Sequence, residues 1–490
     1  MKKSIQSFLN KPDVMDLLIR NINETISTTK KDKDLLLTYR DGKAAATNQS
    51  LQKNINSFLI QLYSDEVGIT NPLGPKKDEK KLLLFYYLLD DLCPIVRSLL
   101  YSINLLGICL SKLLTNSLQQ KGLTVFTFTG RLYFAFDLIA ADNLAVHDLG
   151  GFQKNFNHGH FCRMCYVSYE YKSIPLTNIS FLLRTEISHE IHLKQVLKSN
   201  IHICGINDTS DLSNLIAFHP VKSLPFDIMH DYSEGVCMIM INSILKAFSV
   251  RRILAYAQIE SRLEDFKYRQ NDESNKPPVT KQKHLTNNHI GGSASQKRLL
   301  FQLLHVIFND VIDRLTDILP IYICLREIVS IVFATKIRKP WLAYLKTLTI
   351  TFHSLMIERL PDYVTAKVHF ITHYSELIKR NGPPRNYWCQ RFQGKHLYFK
   401  RLATRSCSFK NVPFTLAKRH QLRLALLLSY DNFHNLIDKP VSTKIINPSQ
   451  LPVEIRLLLV QHQYDLLTYI ESQTLIHKHV KYIKKTLFLL

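Results

Sequence analysis

Apolar residues run in short unbroken blocks through the first third of the chain and recur at helical spacing after it. Residues 55–64, INSFLIQLYS, are apolar and aromatic and lead into Asp65-Glu66. The pattern predicts a buried strand that delivers a carboxylate at its end. Residues 70–75, TNPLGP, predict a turn, and residues 81–89, KLLLFYYLL, a second buried strand. Residues 98–115 predict a helix. Its apolar core carries Ser102, Asn104, Ser111 and Lys112, so it reads as a buried element and not a membrane span. TVFTFT, a turn at Gly130-Arg131 and LYFAFDLIA predict a hairpin whose second strand runs into Ala141-Asp142-Asn143. Two strands that end in acids, with a helix between them, predict an α/β fold with a mixed central sheet.

The segments on either side read differently. Residues 1–52 are polar and lysine-rich and predict a basic arm of helical pieces or loose chain, without a Cys/His finger or a helix-turn-helix. Residues 53–175 hold the predicted strands, and 176–365 are mainly helical. Within the latter, RTEISHEIHLKQVLKSN (184–200) predicts a basic amphipathic helix and 270–297 a mobile polar loop. Two long helices are expected at about 298–318 and 321–360. Residues 366–430 close the core, and 431–490 predict a Pro-spaced linker with short helices.

Charge narrows the partners. The 490 residues carry 63 Lys+Arg against 40 Asp+Glu, a net charge of +23. That field favours a polyanion, most simply nucleic acid or an anionic membrane; a lysine-rich coding habit is the plainer explanation. Nine sparse cysteines, with only Cys162 and Cys165 close together, argue against a disulfide framework and for a reducing compartment. No secretory leader is visible after Met1.

The most informative stretch is 367–396, KVHFITHYSELIKRNGPPRNYWCQRFQGKH. His369 and His373 lie four apart, so they share one helix face, and Gly382-Pro383-Pro384 ends that helix. The stretch resembles the HF..HY..LI...GPP..YWC.RFE.KH segment of transposase-like proteins of the CACTA, Mirage and Chapaev group. Transib-type recombinases are more distant relatives. YSDEVGITNPLG, AADNLAVHDLGGF with FCRMC, LPFDIMHDYSEGV and FKNVPFTLAKRHQ resemble further segments of that group. The resemblance spans roughly residues 55–425.

It implies an RNase H-like core of the DDE superfamily, interrupted by a large helical insertion and flanked by helical extensions. It also implies a triad of metal-binding acids at Asp65, Asp142 and the position of Gln393, with Glu66 beside the first. Mg2+ or Mn2+ between such carboxylates activates the attacking oxygen and stabilises the leaving one in phosphodiester chemistry. Gln393 replaces the third carboxylate with a neutral amide, a loss expected to cost on the order of 10^2–10^4 in rate. No other acid lies between 377 and 430 to replace it.

Cys162-x-x-Cys165 supplies half of a tetrahedral zinc site. The resemblance points to His369 and His373 as the other half. His158 and His160 are local alternatives, and ordinary buried side chains are the plain one. Asp227 and His230 fit either a helix cap or a support for the acids. HEIH at 189–192 lacks the spacing of a zinc motif and implies no metal. Tyr387 and Trp388, beside Arg385 and Arg391, fit either stacking on a splayed base or packing between helices. Lys395, Lys400, Arg401, Lys410, Lys418 and Arg419 carry much of the C-terminal positive charge and are the expected DNA contacts.

The expected function is therefore a transposon-derived, nuclear, duplex-DNA-binding protein, possible as a homodimer and without a membrane role, impaired in catalysis by Gln393. An active metal-dependent endonuclease, or a zinc-stapled scaffold for RNA or protein, are the alternatives.

Overall fold

The computed structural model describes residues 2–68, 81–100, 102–108, 122–175, 182–270, 272–406, 411–430, 438–446, 453, 469–477 and 480–483. It is a mixed α/β protein, mainly helical, with small sheets. The central sheet has four strands. In spatial order they are Asn104–Ile108, Lys81–Leu89, Phe58–Gly68 and Phe134–Ala140. The first three run antiparallel to their neighbours, and the last pairs parallel to Phe58–Gly68.

Both faces of this sheet are buried, which explains the unbroken apolar runs. Side chains alternate between them. Ile60, Leu62, Phe85 and Tyr87 meet Phe8, Leu9, Val14 and Leu18 of the N-terminal helices Lys2–Leu9 and Pro12–Lys31. Tyr63, Leu84, Tyr86 and Leu88 face the larger helical core. Asp65 shares the parity of Tyr63 and emerges on that second face.

The parallel pairing decides where Asp142 goes. Ile60 lies opposite Phe136, but Leu62 lies opposite Ile139, so the outer strand carries one extra residue. This bulge reverses the parity of everything after it. Ala140 thereby comes level with Tyr63. Asp142 follows two residues on, just past the end of the strand, as the N-cap of the helix Asn143–Leu149. Without the bulge, Ala140 would come level with Ser64 and face the other way.

Several expectations change. The first 52 residues are not a loose arm, because their apolar side chains cover one sheet face. Residues 104–108 form an edge strand and not a helix, since pairing with Lys81–Leu89 satisfies their backbone; residues 109–115 lie outside the described residues, as does the turn cluster at 70–75. The hairpin is Leu123–Val125 with Phe128–Leu132; Gly130 and Arg131 lie inside its second strand, and Phe134–Ala140 joins the central sheet instead. Residues 272–297 are ordered around Thr280, Leu285 and Ile290, all buried. The two long helices are broken into Ala294–Ile307, Leu319–Val332 and Trp341–Arg359, the last starting after Lys339-Pro340. The helix Glu186–Ser199 forms as expected but exposes Ile187, Ile191 and Leu197, so it is not cleanly amphipathic. Near the C-terminus, Asp438–Ile446, Tyr469–His477 and Val480–Ile483 form an antiparallel sheet where short helices were expected.

Among the described residues, one helical stretch, Met229–Val250, is long and apolar enough to cross a membrane. Two-thirds of it is buried inside the protein, where it forms a core element.

Candidate metal centre and acid cluster

The Cys162 and Cys165 loop faces the helical turn that carries His369 and His373. Cys162 Sγ lies 3.4 Å from His373 Nε2, Cys165 Sγ 3.3 Å from His369 Nε2, and the two Nε2 atoms 3.1 Å apart. All four donor atoms fall within 4.8 Å of one another, and all four residues are buried. A zinc-type tetrahedron with ordinary bond lengths has S–N edges of about 3.6 Å and N–N edges of about 3.3 Å. The observed edges fit this shape slightly contracted, so the cluster could hold a metal ion. Burial pushes the Cys162 thiol up, but hydrogen bonding with Cys165 and the histidines outweighs this and holds it well below the usual thiol range. Burial and the adjacent Cys162 drive Cys165 well above that range. Without a cation, then, only Cys162 ionises; a divalent ion between the two sulfurs would let Cys165 ionise as well.

Backbone contacts shape the loop for this task. Met164 N–H donates to Cys162 Sγ at 3.3 Å, and Arg184 Nε donates to the carbonyls of Cys162 and Cys165, each at 3.1 Å. The histidines span the helix Ala366–Phe370 and the tighter turn Ile371–His373. Phe226 stacks on Phe370 at 4.4 Å and on His373 at 5.9 Å. The local alternatives are used elsewhere. His158 is exposed near Glu170, and His160 Nδ1 bonds the carbonyl of Tyr166.

A second cluster lies beside the first. Tyr63 O–H donates to Asp65 Oδ2 at 2.7 Å. Asp142 caps the helix Asn143–Leu149, its Oδ1 accepting from Ala145 N–H at 2.7 Å. The helix Gln390–Ser406 lies against the central strand. Its Phe392 stacks on Tyr63 at 4.1 Å and 3°, and His396 Nδ1 stands 3.6 Å from Asp65 Oδ2. Burial and Lys400 push the His396 imidazole down to about 4, so this contact joins a neutral ring to the carboxylate. Gln393, half-buried, follows Phe392 and precedes His396 by one turn. Its helix therefore brings Gln393 to the edge where Asp65 and Asp142 emerge. Glu66 lies on the same strand; its side chain is outside the described residues.

Asp227 and His230 support this edge. Asp227 Oδ2 accepts from the His230 backbone N–H at 3.0 Å and contacts His230 Nδ1 at 2.6 Å, while Oδ1 accepts from Cys389 N–H at 2.8 Å. It thus both caps a helix and orients an imidazole. Burial lowers His230, but Asp227 and then Asp142 outweigh it and raise the ring to about 9. The imidazolium thus lies in the field of both Asp227 and Asp142. Asp227, His230 and Cys389 cluster closely enough for a metal, and without one Asp227 and the raised His230 form an ion pair. The turn Met229–Val236 is π-helical, with Gly235 outside helical backbone geometry at φ −116° and ψ −105°. A Cβ on Gly235 would come within 2.8 Å of Lys367 Cδ and 3.0 Å of the His230 carbonyl oxygen.

Sequence reading missed the residues that join the two clusters. Arg163, inside the C-x-x-C, is 1% exposed. Its guanidinium donates to Leu224 O at 3.0 Å, Pro225 O at 2.7 Å and Asn143 Oδ1 at 2.9 Å, and lies 3.8 Å over the Phe226 ring. Asn143 donates to Asp231 Oδ1 at 2.7 Å, and Tyr374 donates to Asp231 Oδ2 at 2.9 Å. Asp142, Cys162, Asp227 and His373 each have a neighbour in this network. The only signal was polar residues placed inside otherwise buried motifs.

The basic residues divide. Lys400, Arg401, Lys418 and Arg419 are exposed on the helices Gln390–Ser406 and Val412–Tyr430, and Lys410 lies outside the described residues. Lys395 is 3% exposed, and its ammonium, pushed down to about 7 by burial, donates to Leu100 O. It is a structural group and not a surface contact. Tyr387 packs with Tyr39, Leu59 and Leu138, and Trp388 meets Phe333 at 5.9 Å. Both rings are committed to packing, not to a stacked base. Arg385 and Arg391 are half-buried around a cavity.

His189, Glu190 and His219 also converge. His219 Nδ1 accepts the Val221 N–H at 3.2 Å, which leaves its proton on Nε2, 3.3 Å from Glu190. Nε2 itself makes no hydrogen bond, so the three groups stand close enough to hold a metal but form no paired network.

No protein-family profile matches the chain, and no curated protein is significantly similar to it.

Proposed function

We propose that this chain is a transposase-derived DNA-binding protein. Its Cys2His2 centre holds structural zinc, and its acid centre lacks the third carboxylate needed for efficient strand cleavage. One observation supports the reading: the strand that holds Asp65 and the parallel strand that leads into Asp142 lie side by side, the charges of both acids reach Cys389, and the helix bearing Gln393 packs on the strand of Asp65. The strand order, with one parallel partner beside the longest strand, agrees with an RNase H-like core. The helical segment between the Cys pair and the His pair is then the insertion.

The chemistry of the donors supports the two metal assignments. Two thiolates and two imidazoles suit zinc, whereas paired carboxylates suit Mg2+ or Mn2+. A divalent ion held by Asp65 and Asp142 would polarise a phosphodiester and lower the pKa of an attacking water. Gln393 can supply only an amide oxygen there, without charge. The exposed Lys400, Arg401, Lys418 and Arg419 give the duplex a basic face, and nuclear residence follows from that partner.

The test is Mg2+- and Mn2+-dependent nicking of duplex DNA by the chain as written and by Gln393→Glu. Cutting by Gln393→Glu alone is the expected result. Cutting by the unaltered chain, abolished in Asp142→Ala, would make it a working nuclease. Failure of both to bind duplex DNA would leave a zinc-stapled scaffold for another partner.

A further inference from the structure

A cavity of about 430 Å3 lies where the helix Pro12–Lys31, the end of strand Lys81–Leu89 and the Gly-Pro-Pro turn meet. Its wall is unusually cationic. Arg97, Lys336, Arg385 and Arg391 line it, against Asp90 and Glu24. Asp90 is already committed to Arg97 at 2.5 Å, both side chains being almost fully buried. Glu24 is exposed at the rim. Among the described residues, neither Arg385 nor Arg391 makes an ion pair.

The hydrogen bonds point the same way. Arg391 spends one terminal nitrogen on the carbonyls of Arg385 and Asn386, at 3.0 and 3.3 Å. Its other terminal nitrogen is buried with no partner, as is Arg97 Nε. Arg97 is 3% exposed and is held in place by Asn386 Oδ1 at 2.6 Å. Asn386 in turn donates to Leu37 O at 2.7 Å, so the turn that carries it is fixed on both sides. Arg97 and Arg391 thus converge with unspent donors, beside Arg385 and the exposed Lys336. Arg391 is pushed well below its ordinary range by burial and by Arg97. Bringing in an anion with several acceptor oxygens would relieve both the repulsion and the unmet donors.

We propose that this cavity is a phosphoryl-binding subsite. Arg391 and Arg97 hold the anion's oxygens, and Lys336 screens its charge at the rim. Arg391 points away from the helix face that carries Phe392, Gln393 and His396, since neighbouring positions turn by 100°. The subsite is therefore separate from the acid centre and on the far side of the same helix. As a seat for a strand phosphate it rests on the DNA-binding reading; as a seat for a free polyphosphate it does not.

The experiment uses the full metal-loaded chain with two probes, a duplex oligonucleotide over a range of salt and inorganic tripolyphosphate. Lys336→Met is the primary variant because the residue is exposed and folding does not depend on it; Arg391→Met is the second. Each lost phosphate contact should lower the slope of log affinity against log salt by about 0.9. Affinity near 0.1 M salt should fall on the order of 10-fold. Tripolyphosphate should raise the melting temperature of the chain, and Lys336→Met should weaken that rise. If the chain binds duplex with an unchanged slope in both variants, and tripolyphosphate shifts nothing, the subsite is refuted while the DNA-binding reading stands. If duplex is not bound but the tripolyphosphate shift depends on Lys336, the DNA-binding reading fails. The subsite then stands with a free polyphosphate as its ligand.

Discussion

The Cys2His2 cluster and the acid cluster sit side by side yet are kept in different ways. The first has all four donors, buried and mutually in contact. The second, in the reading proposed above, has two acids and Gln393 where a third would stand. The fold itself explains the contrast. A buried thiolate pair without a cation is costly, so loss of any one ligand would leave an uncompensated charge in the core. The acid centre has the opposite bias. Its carboxylates repel one another, and replacing one with an amide relieves that repulsion. Folding therefore resists change at the first centre and tolerates it at the second. Only a reaction would select for the missing carboxylate.

The largest effect should come from the metal centre. Cys165→Ser, or chelation of the bound ion, should cost on the order of 5–10 kcal/mol and abolish cooperative melting. Metal analysis should find one ion per chain before treatment and none after. A chain that melts unchanged without metal would remove the contrast altogether.

Next comes the link between the clusters. Arg163→Met should destabilise by about 3–5 kcal/mol, because three buried acceptors and a cation–π contact are lost together. Calorimetry of the metal-loaded variant measures this. A cost below about 1 kcal/mol would mean that the two centres are independent.

His230 sets the pH dependence of the acid side. Its folded value, about 9, lies above the ordinary 6.5. Its contribution is therefore fully present below pH 6.5 and is lost as pH rises through about 9, up to about 3 kcal/mol in all. Denaturant melts across that window should show the fall, and Asp227→Asn should flatten it.

The smallest effect should be at Gln393. Without divalent ions, Gln393→Glu should destabilise by about 1 kcal/mol or less, from added carboxylate repulsion. Millimolar Mg2+ or Mn2+ should reverse the sign by binding the folded state. Destabilisation in both conditions would detach Gln393 from the acid centre.

Much of this was legible in the chain. The unbroken apolar runs FLIQLY and LFYYLL, buried throughout, and the helix stop at Gly382 follow from local pattern. The paired Cys and His residues lie 204 and 211 positions apart, so spacing alone offered the His pair only as one choice among several. The edge strand Asn104–Ile108 was misread because short apolar runs have no period that separates helix from strand. The aromatic residues Tyr387 and Trp388 were left open between two readings, of which the structure shows packing. Their composition suits a stacking platform and a packed corner equally well, and burial alone tells these apart.

By itself, then, the sequence determined which residues are chemically able to act: two acids at strand ends, four soft donors, and a strong positive charge. Tertiary structure decided which of them meet. A single extra residue in the strand Phe134–Ala140 brings Ala140 level with Tyr63, on the side of Asp65, just before the chain reaches Asp142. Arg163 and Asp231 became central only because three distant segments close around them. The physical reason is common to both. Parity and proximity depend on register and packing between segments, and neither is written in the local run of residues.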